Sequence, residues 1–243
     1  MYIQNRLGLI EGTETMLAHE RRMDQIANNL ANVDTAGYKK EDITFWEMMF
    51  KAADHRPRVG KALKLLTNHE QGSAKQTDNP LDFAISGDGY FKIQTPAGVR
   101  YTRNGNFTLN SQGQLSTFDG NLVLGEGGPI VLTDQNIHVG RDGLIIAANG
   151  EQLNRLGLAT FADPNSLDKE GANLFRPKEG AAQEQPVERP DIKQGYLEGA
   201  NVNIVSELTE MIDLQRAYQS QQKAIQTSDE IDQQSTARVG KLT

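Results

Sequence analysis

Apolar side chains recur at helical spacing near both ends of the chain and at strand spacing between them. Ile3, Leu7, Ile10 and Leu17 step by four, three and seven, and Met23, Ile26, Leu30 and Val33 continue by three, four and three. This is one stripe on a helix that slips phase near Met16; residues 3–33 lack Pro, and their only glycines are Gly8 and Gly12. Gly37 stands where a left-handed residue closes a helix. The far end mirrors the first. Asn203 is placed as an N-cap, and Ile204, Leu208, Met211, Tyr218 and Ile225 keep four- and three-residue steps, with Gln215 and Gln222 in the remaining positions. Neither Gly nor Pro interrupts Asn203 to Val239. The two helices would be about 45 and 55 Å long. Both stripes are narrow, the pattern of helices that pair with each other or with copies of themselves, as in a coiled coil.

In the middle the period falls to two. Residues 81–85, 90–93, 99–102, 107–109, 122–124, 130–132, 137–139, 144–146 and 156–159 read as short strands. Turn signals part them: Gly87-Asp88-Gly89, Asn104-Gly105, Asp119-Gly120, Asp142-Gly143 and Asn149-Gly150. That spacing predicts antiparallel sheets. Residues 163–195, with Pro164, Pro177, Pro186 and Pro190, read as a loop-rich return path, and residues 54–80 look similar. The expected fold is therefore mixed α and β: N- and C-terminal helices forming a coiled-coil base, with a central, mainly antiparallel β domain. The expected division is 1–38 first helix, 39–80 connector, 81–162 β domain, 163–200 return segment and 201–243 last helix.

Composition narrows the function. The 243 residues carry 25 Lys and Arg against 32 Asp and Glu, a net charge of -7. Nucleic acids and anionic membrane surfaces call for a concentrated positive face, so neither is an expected partner. With no Cys, thiolate metal sites and cysteine nucleophiles are excluded. No apolar run is long enough to span a bilayer, and Arg6, Glu11 and Glu14 stand where a secretory signal needs an apolar core, so neither membrane insertion nor a cleaved signal is expected.

No catalytic constellation emerges, and no cofactor or metal is expected. His19, His55, His69 and His138 fall in separate zones without ligand spacing and read as surface residues. Gly125-Glu126-Gly127-Gly128-Pro129 lacks the Lys and Ser or Thr of a phosphate loop and reads as a hairpin or a loop. Asp119-Gly120-Asn121 and Asp142-Gly143 are turn chemistry without the distal Glu of a calcium loop. Tyr90, Phe91, Tyr101 and Phe107 alternate as core residues do, although a carbohydrate-binding module could expose such rings. Arg103 is placed either to clamp a carboxylate or backbone carbonyls or to stand solvated in a hairpin. Trp46, with Phe45, Met48, Met49 and Phe50, forms an apolar cluster after the first helix.

Energetics bear on the ends. About a dozen stripe residues gain ~1.5–3 kcal/mol each on full burial. Ordering the two helices costs roughly 1–2 kcal/mol per residue, partly offset by hydrogen bonds. The ends are therefore expected to order when neighbouring copies cover them, and head-to-tail association of that kind builds a filament. An intramolecular two-helix stalk satisfies the same periodicity.

One stretch is more specific. Ala27-Asn28-Asn29-Leu30-Ala31-Asn32-Val33-Asp34-Thr35-Ala36-Gly37-Tyr38-Lys39 resembles the signature of bacterial flagellar rod and hook proteins. Asn28 and Asn29 are poor mid-helix residues, which amide bonds to a neighbour's backbone would explain, and Thr35, Gly37 and Tyr38 suit a tight exit turn. Gln76–Ile85 with Gly87–Phe91, then Tyr101–Phe107, resemble the family's β module. Gly195–Glu198, Asn201–Asn203 and Gln215–Tyr218 resemble its closing helix. The short middle fits a rod protein better than a hook protein, and within the rod the opening Met1–Arg6 favours the proximal type, whereas 217–227 resembles the distal one.

The resemblance implies a non-enzymatic subunit that polymerises into the torque-transmitting axial shaft of the basal body, in the periplasm. Its implied partners are copies of itself, other rod proteins and the flagellar type III export apparatus. Leu7, Ile10, Asn28, Asn29, Leu30, Leu208, Met211, Gln215, Gln222 and Ile225 are the expected subunit seam, and Asn32, Thr35, Gly37 and Tyr38 the signature turn.

Overall fold

The computed structural model describes residues 2–51, 57–132, 136–171, 173–180 and 183–239. Two helices frame a β-rich middle. Helix α1 spans Tyr2–Ala31 and helix α2 spans Ile204–Val239. Asn203 caps α2, its Oδ1 accepting from the Ser206 amide at 3.1 Å. The chain forms two compact units: residues 1–31, 41–66 and 203–243 make the first, and 32–40 with 67–202 the second.

In the first unit α1 and α2 pack antiparallel, Gly12 lying against Ile225 and Asn29 against Glu207. Along α2 the buried and half-buried side is Glu207, Met211, Leu214, Tyr218, Gln221, Ile225 and Ser228, steps of four and three. Along α1 the matching side is Gly12, Met16, His19, Met23, Ile26 and Leu30. The unit also holds a two-stranded sheet of Glu41–Lys51 and Pro57–Thr67, where the sequence reading placed a connector and loop from residue 54. The side chains of the Trp46 cluster lie outside the described residues.

The second unit is mainly antiparallel β. Its largest described sheet runs in the order Leu167–Lys169, Leu174–Pro177, Gly98–Thr102, Tyr90–Thr95, Leu122–Gly125, Leu115–Ser116, Thr108–Leu109. Leu158–Thr160 pairs with Tyr90–Thr95 and with Gln185–Pro186. A three-stranded sheet of Ile137–Val139, Leu144–Ala147 and Gln152–Arg155 and two strand pairs complete it. One of those pairs joins Ala74–Gln76 to Tyr196–Glu198, the other Phe83–Ile85 to Ile192–Gln194. The segment expected to be loop-rich, 163–195, thus contributes four short strands among its described residues. The glycine-rich 125–129 is a hairpin, with Gly128 opposite Gly125.

Alternation buries one side of these strands. Phe83, Phe91, Ile93, Leu115, Val123, Ile130 and Ile145 are fully enclosed in one core, and Tyr90, Tyr101, Phe161 and Phe175 anchor a second. The four aromatic rings that a carbohydrate-binding surface would have needed are therefore packing residues. At Gly105 a Cβ would stand 1.7 Å from the carbonyl oxygen of Phe83, so the Asn104-Gly105 turn admits no side chain there.

Candidate assembly helices and signature turn

Asn29 is the polar centre of the helix pair. It is 1% exposed, and its amide closes two bonds on one residue: Oδ1 accepts from the Glu41 amide at 3.1 Å and Nδ2 donates to the Glu41 carbonyl at 2.9 Å. Nδ2 also donates to Glu207 Oε2 at 3.1 Å, and Glu207 is 1% exposed on the first turn of α2. One mid-helix asparagine thus ties α1 to the strand that follows it and to α2. A mid-helix Asn is costly by propensity, and these bonds compensate. The backbone it bonds belongs to its own chain. Asn28, one residue before it, is exposed.

The remaining expected seam residues divide by face. Leu30, Met211 and Ile225 are half-buried on the sides through which α1 and α2 meet, and a Cβ on Gly12 would lie 3.3 Å from Ile225 Cδ1. Leu208, Gln215 and Gln222 point away from α1, Leu208 being 45% exposed. They continue a stripe begun by Ile204, 47% exposed, and flanked by Ile212, 49% exposed. The side chains of Leu7 and Ile10 lie outside the described residues.

In the second unit the segment after α1 turns sharply. The Thr35 amide donates to the Asn32 carbonyl at 3.0 Å, Thr35 Oγ1 to Asn32 Oδ1 at 3.3 Å, and the Tyr38 amide to the Thr35 carbonyl at 3.2 Å. Gly37 has φ of +68°, and a Cβ there would lie 2.3 Å from the Asn104 nitrogen. Both the left-handed backbone and the approach of the 103–104 segment exclude a side chain. Tyr38 is buried, with the Lys169 ammonium 3.9 Å from its ring centroid.

Beneath this turn lies a buried charge node that the sequence reading found only in part. Glu198 Oε1 accepts from Lys39 Nζ at 2.7 Å and from the Gly72 amide at 3.0 Å, and Oε2 accepts from Arg103 Nη1 at 3.3 Å. Its own carbonyl accepts from the Gly37 amide at 2.7 Å. Lys39 also donates to the Glu70 carbonyl. Lys39, Arg103 and Glu198 are at most 3% exposed, so Arg103 clamps a carboxylate and is not a solvated hairpin residue. Burial pushes the Lys39 ammonium below its usual range, with Glu198 pulling the other way. Charges this deep persist only when paired. The guanidinium carbon of Arg103 lies 5.1 Å from the Tyr90 ring centroid, and burial pushes the Tyr90 phenol up to about 12.

His69, read from sequence as a surface residue, packs beside this node. Its Nδ1 pairs with Tyr90 Oη at 2.8 Å, its ring lies 5.4 Å from that of Phe175, and burial, with Lys39 and Arg103 adding, lowers it to about 4. His138 is exposed, His19 is half-buried and His55 lies outside the described residues. Among the described residues no group of His, Asp and Glu is arranged to hold a metal, and no helix is long and apolar enough to cross a membrane.

Each corner of the node falls in a different segment matched by family models. The model for flagella basal body rod protein matches residues 12–39, that for the flagellar hook protein FlgE/F/G D1 domain matches 84–150, and that for the flagellar basal body rod FlgEFG protein C-terminal region matches 193–238. Whole-chain relatives agree. Flagellar basal-body rod protein FlgG of Bacillus subtilis is 37% identical over 254 residues, covering 93% of this chain and 96% of its own. FlgF of Caulobacter vibrioides is 36% identical over 241 residues, covering 96% and 98%. FlgG of Borreliella burgdorferi is 34% identical over 244 residues, covering 88% and 91%. The three family models fall in order along this chain and the relatives match it over nearly their full length, so the chain belongs to the flagellar basal-body rod protein family, of FlgF or FlgG type, as a structural subunit without enzymatic activity.

Proposed function

We propose that this subunit polymerises with copies of itself and with other rod proteins into the torque-transmitting shaft, through α1 and α2 acting as a coiled-coil base. The observation that carries this reading is the outward stripe of α2. Ile204, Leu208 and Ile212 are about half exposed, Gln215 and Gln222 extend the stripe, and no charged side chain interrupts it. An apolar stripe left open beside an occupied one suits a helix that packs on two sides. In this reading Leu208, Gln215 and Gln222 meet a neighbouring copy, together with Leu7, Ile10 and Asn28, while Asn29, Leu30, Met211 and Ile225 hold the helix pair that presents them.

Delivery through the flagellar export apparatus to a periplasmic rod follows from the family reading. The proximal position rests on the opening Met1–Arg6 and on the near end-to-end match to a FlgF protein. The test is to express the chain in strains lacking FlgF or FlgG and to locate it in purified basal bodies. Rescue of the FlgF-deficient strain, with the chain in the rod, is expected. Rescue of only the FlgG-deficient strain places it distally, and its absence from basal bodies overturns the reading.

A further inference from the structure

The surroundings of His69 close into a ring of contacts. From His69 the chain runs to Glu70, whose carbonyl accepts from Lys39 Nζ. Lys39 bonds Glu198, Glu198 bonds Arg103, Arg103 lies over the Tyr90 ring, and the Tyr90 hydroxyl returns to His69 Nδ1 at 2.8 Å. The other imidazole nitrogen, Nε2, is buried and has no hydrogen-bond partner. A neutral ring that carries its proton on Nδ1 and donates it to Tyr90 Oη leaves only a lone pair at Nε2, whereas an imidazolium carries a proton on both nitrogens and strands the one on Nε2.

Charge adds to the penalty. The groups that act on His69 from the packed elements are Lys39 of the exit turn, Arg103 after strand Gly98–Thr102, Asp163 before the short 3-10 turn, and Lys178 after strand Leu174–Pro177. Glu198 is already engaged by two cations, and the Glu70 carboxylate bonds the side chain of Asn68. Asp163 alone among the four favours a proton on the ring; three cations oppose it.

We propose that this ring of contacts is an acid-sensitive latch, in which a proton on His69 adds a third positive charge to two cations sharing one carboxylate and releases residues 68–72 from the exit turn. The segment has several bonds to lose together: the Asn68 amide to the Lys40 carbonyl, Lys39 to the Glu70 carbonyl, and the Gly72 amide to Glu198. The sign follows from where the proton goes. In the opened segment His69 takes a proton near 6.5, and in the closed one near 4, so between these values only the opened form is protonated. Opening therefore becomes easier as the pH falls from 6.5 and is unaffected above it.

Amide exchange on the full chain reads this directly. Protection factors for residues 68–72 and 37–40 are expected to fall by up to about tenfold per pH unit between pH 6.5 and 4.5. In a His69→Gln variant that dependence should vanish over the same window; an unchanged slope overturns the proposal. Should the variant fail to fold, the ring-proton titration of the wild type decides. The four histidine signals can be assigned by elimination with His19→Gln, His55→Gln and His138→Gln. A His69 midpoint below about 5 supports the latch, and one near 6.5 overturns it.

Discussion

Lys39 and Glu198 lie 159 residues apart in sequence, and their charged atoms are 2.7 Å apart with almost no exposure to solvent. Because Arg103 leans on the same carboxylate at 3.3 Å, Glu198 neutralises two buried cations from two other segments. Glu198→Gln keeps the shape and removes the anion. Unpairing buried charges in this way typically costs about 3–5 kcal/mol. Urea denaturation of the full chain should show a loss of that order in the transition that reports the β-rich unit. A loss below about 1 kcal/mol would mean that the two cations find other partners.

Gly37 tests the turn from the opposite direction, since it contributes no side chain. Gly37→Ala asks an L-residue to hold φ of +68° and to place a methyl group 2.3 Å from a backbone nitrogen. The first demand costs roughly 1–2 kcal/mol, and the second requires the 103–104 segment to move. That segment carries Arg103, so the expected result is a loss above about 2 kcal/mol together with weakened amide protection at Gly72 and Glu198. Gly120→Ala is the control: φ there is +81°, but nothing lies within 4 Å of the added carbon, so only the backbone cost should appear.

The extent to which the sequence foretold this structure follows physical lines. The helices were legible because a stripe repeated over about thirty residues is a strong periodic signal. The turn glycines were legible because a positive φ selects Gly. Strands such as Gln185–Pro186 and Ile192–Gln194 are too short for alternation to register among prolines and charges. Glu41–Lys51 hid because its aromatic and Met cluster carries no flanking turn dipeptide. On α2 the face toward α1 and the outward stripe share no residue that composition could separate: Gln221 lies on one and its neighbour Gln222 on the other. The buried Glu207, an acid where a hydrophobic residue is expected, obscured the phase further. Nothing local marks Glu198 as an ion-pair partner, because its cations come from the start and the middle of the chain.

Asn28 and Asn29 are adjacent and chemically identical, and the structure separates their roles. Asn29→Ala removes two bonds to the Glu41 backbone and one to the buried Glu207 carboxylate. A loss of about 2–3 kcal/mol in the helical unit is expected. Asn28→Ala, on the exposed side, should stay within about 0.5 kcal/mol. Paired thermal melts followed at 222 nm would check both; equal losses would mean that the asparagines share the burden.

The two faces of α2 can be told apart by placing the same charge on each. Leu208 is 45% exposed and points away from α1, whereas Ile225 is half-buried against Gly12. In the lone chain Leu208→Asp loses little apolar burial, so its melt should stay within about 0.5 kcal/mol of the parent. Ile225→Asp forces a carboxylate between the helices and should cost about 2–4 kcal/mol. Assembly should reverse the ranking of information. Leu208→Asp is expected to abolish rod incorporation and swimming in a complemented null strain although the subunit folds normally, because its charge would be buried against the next copy. If cells carrying Leu208→Asp build rods and swim, the outward stripe is not a subunit contact, and the shaft must be held by other surfaces.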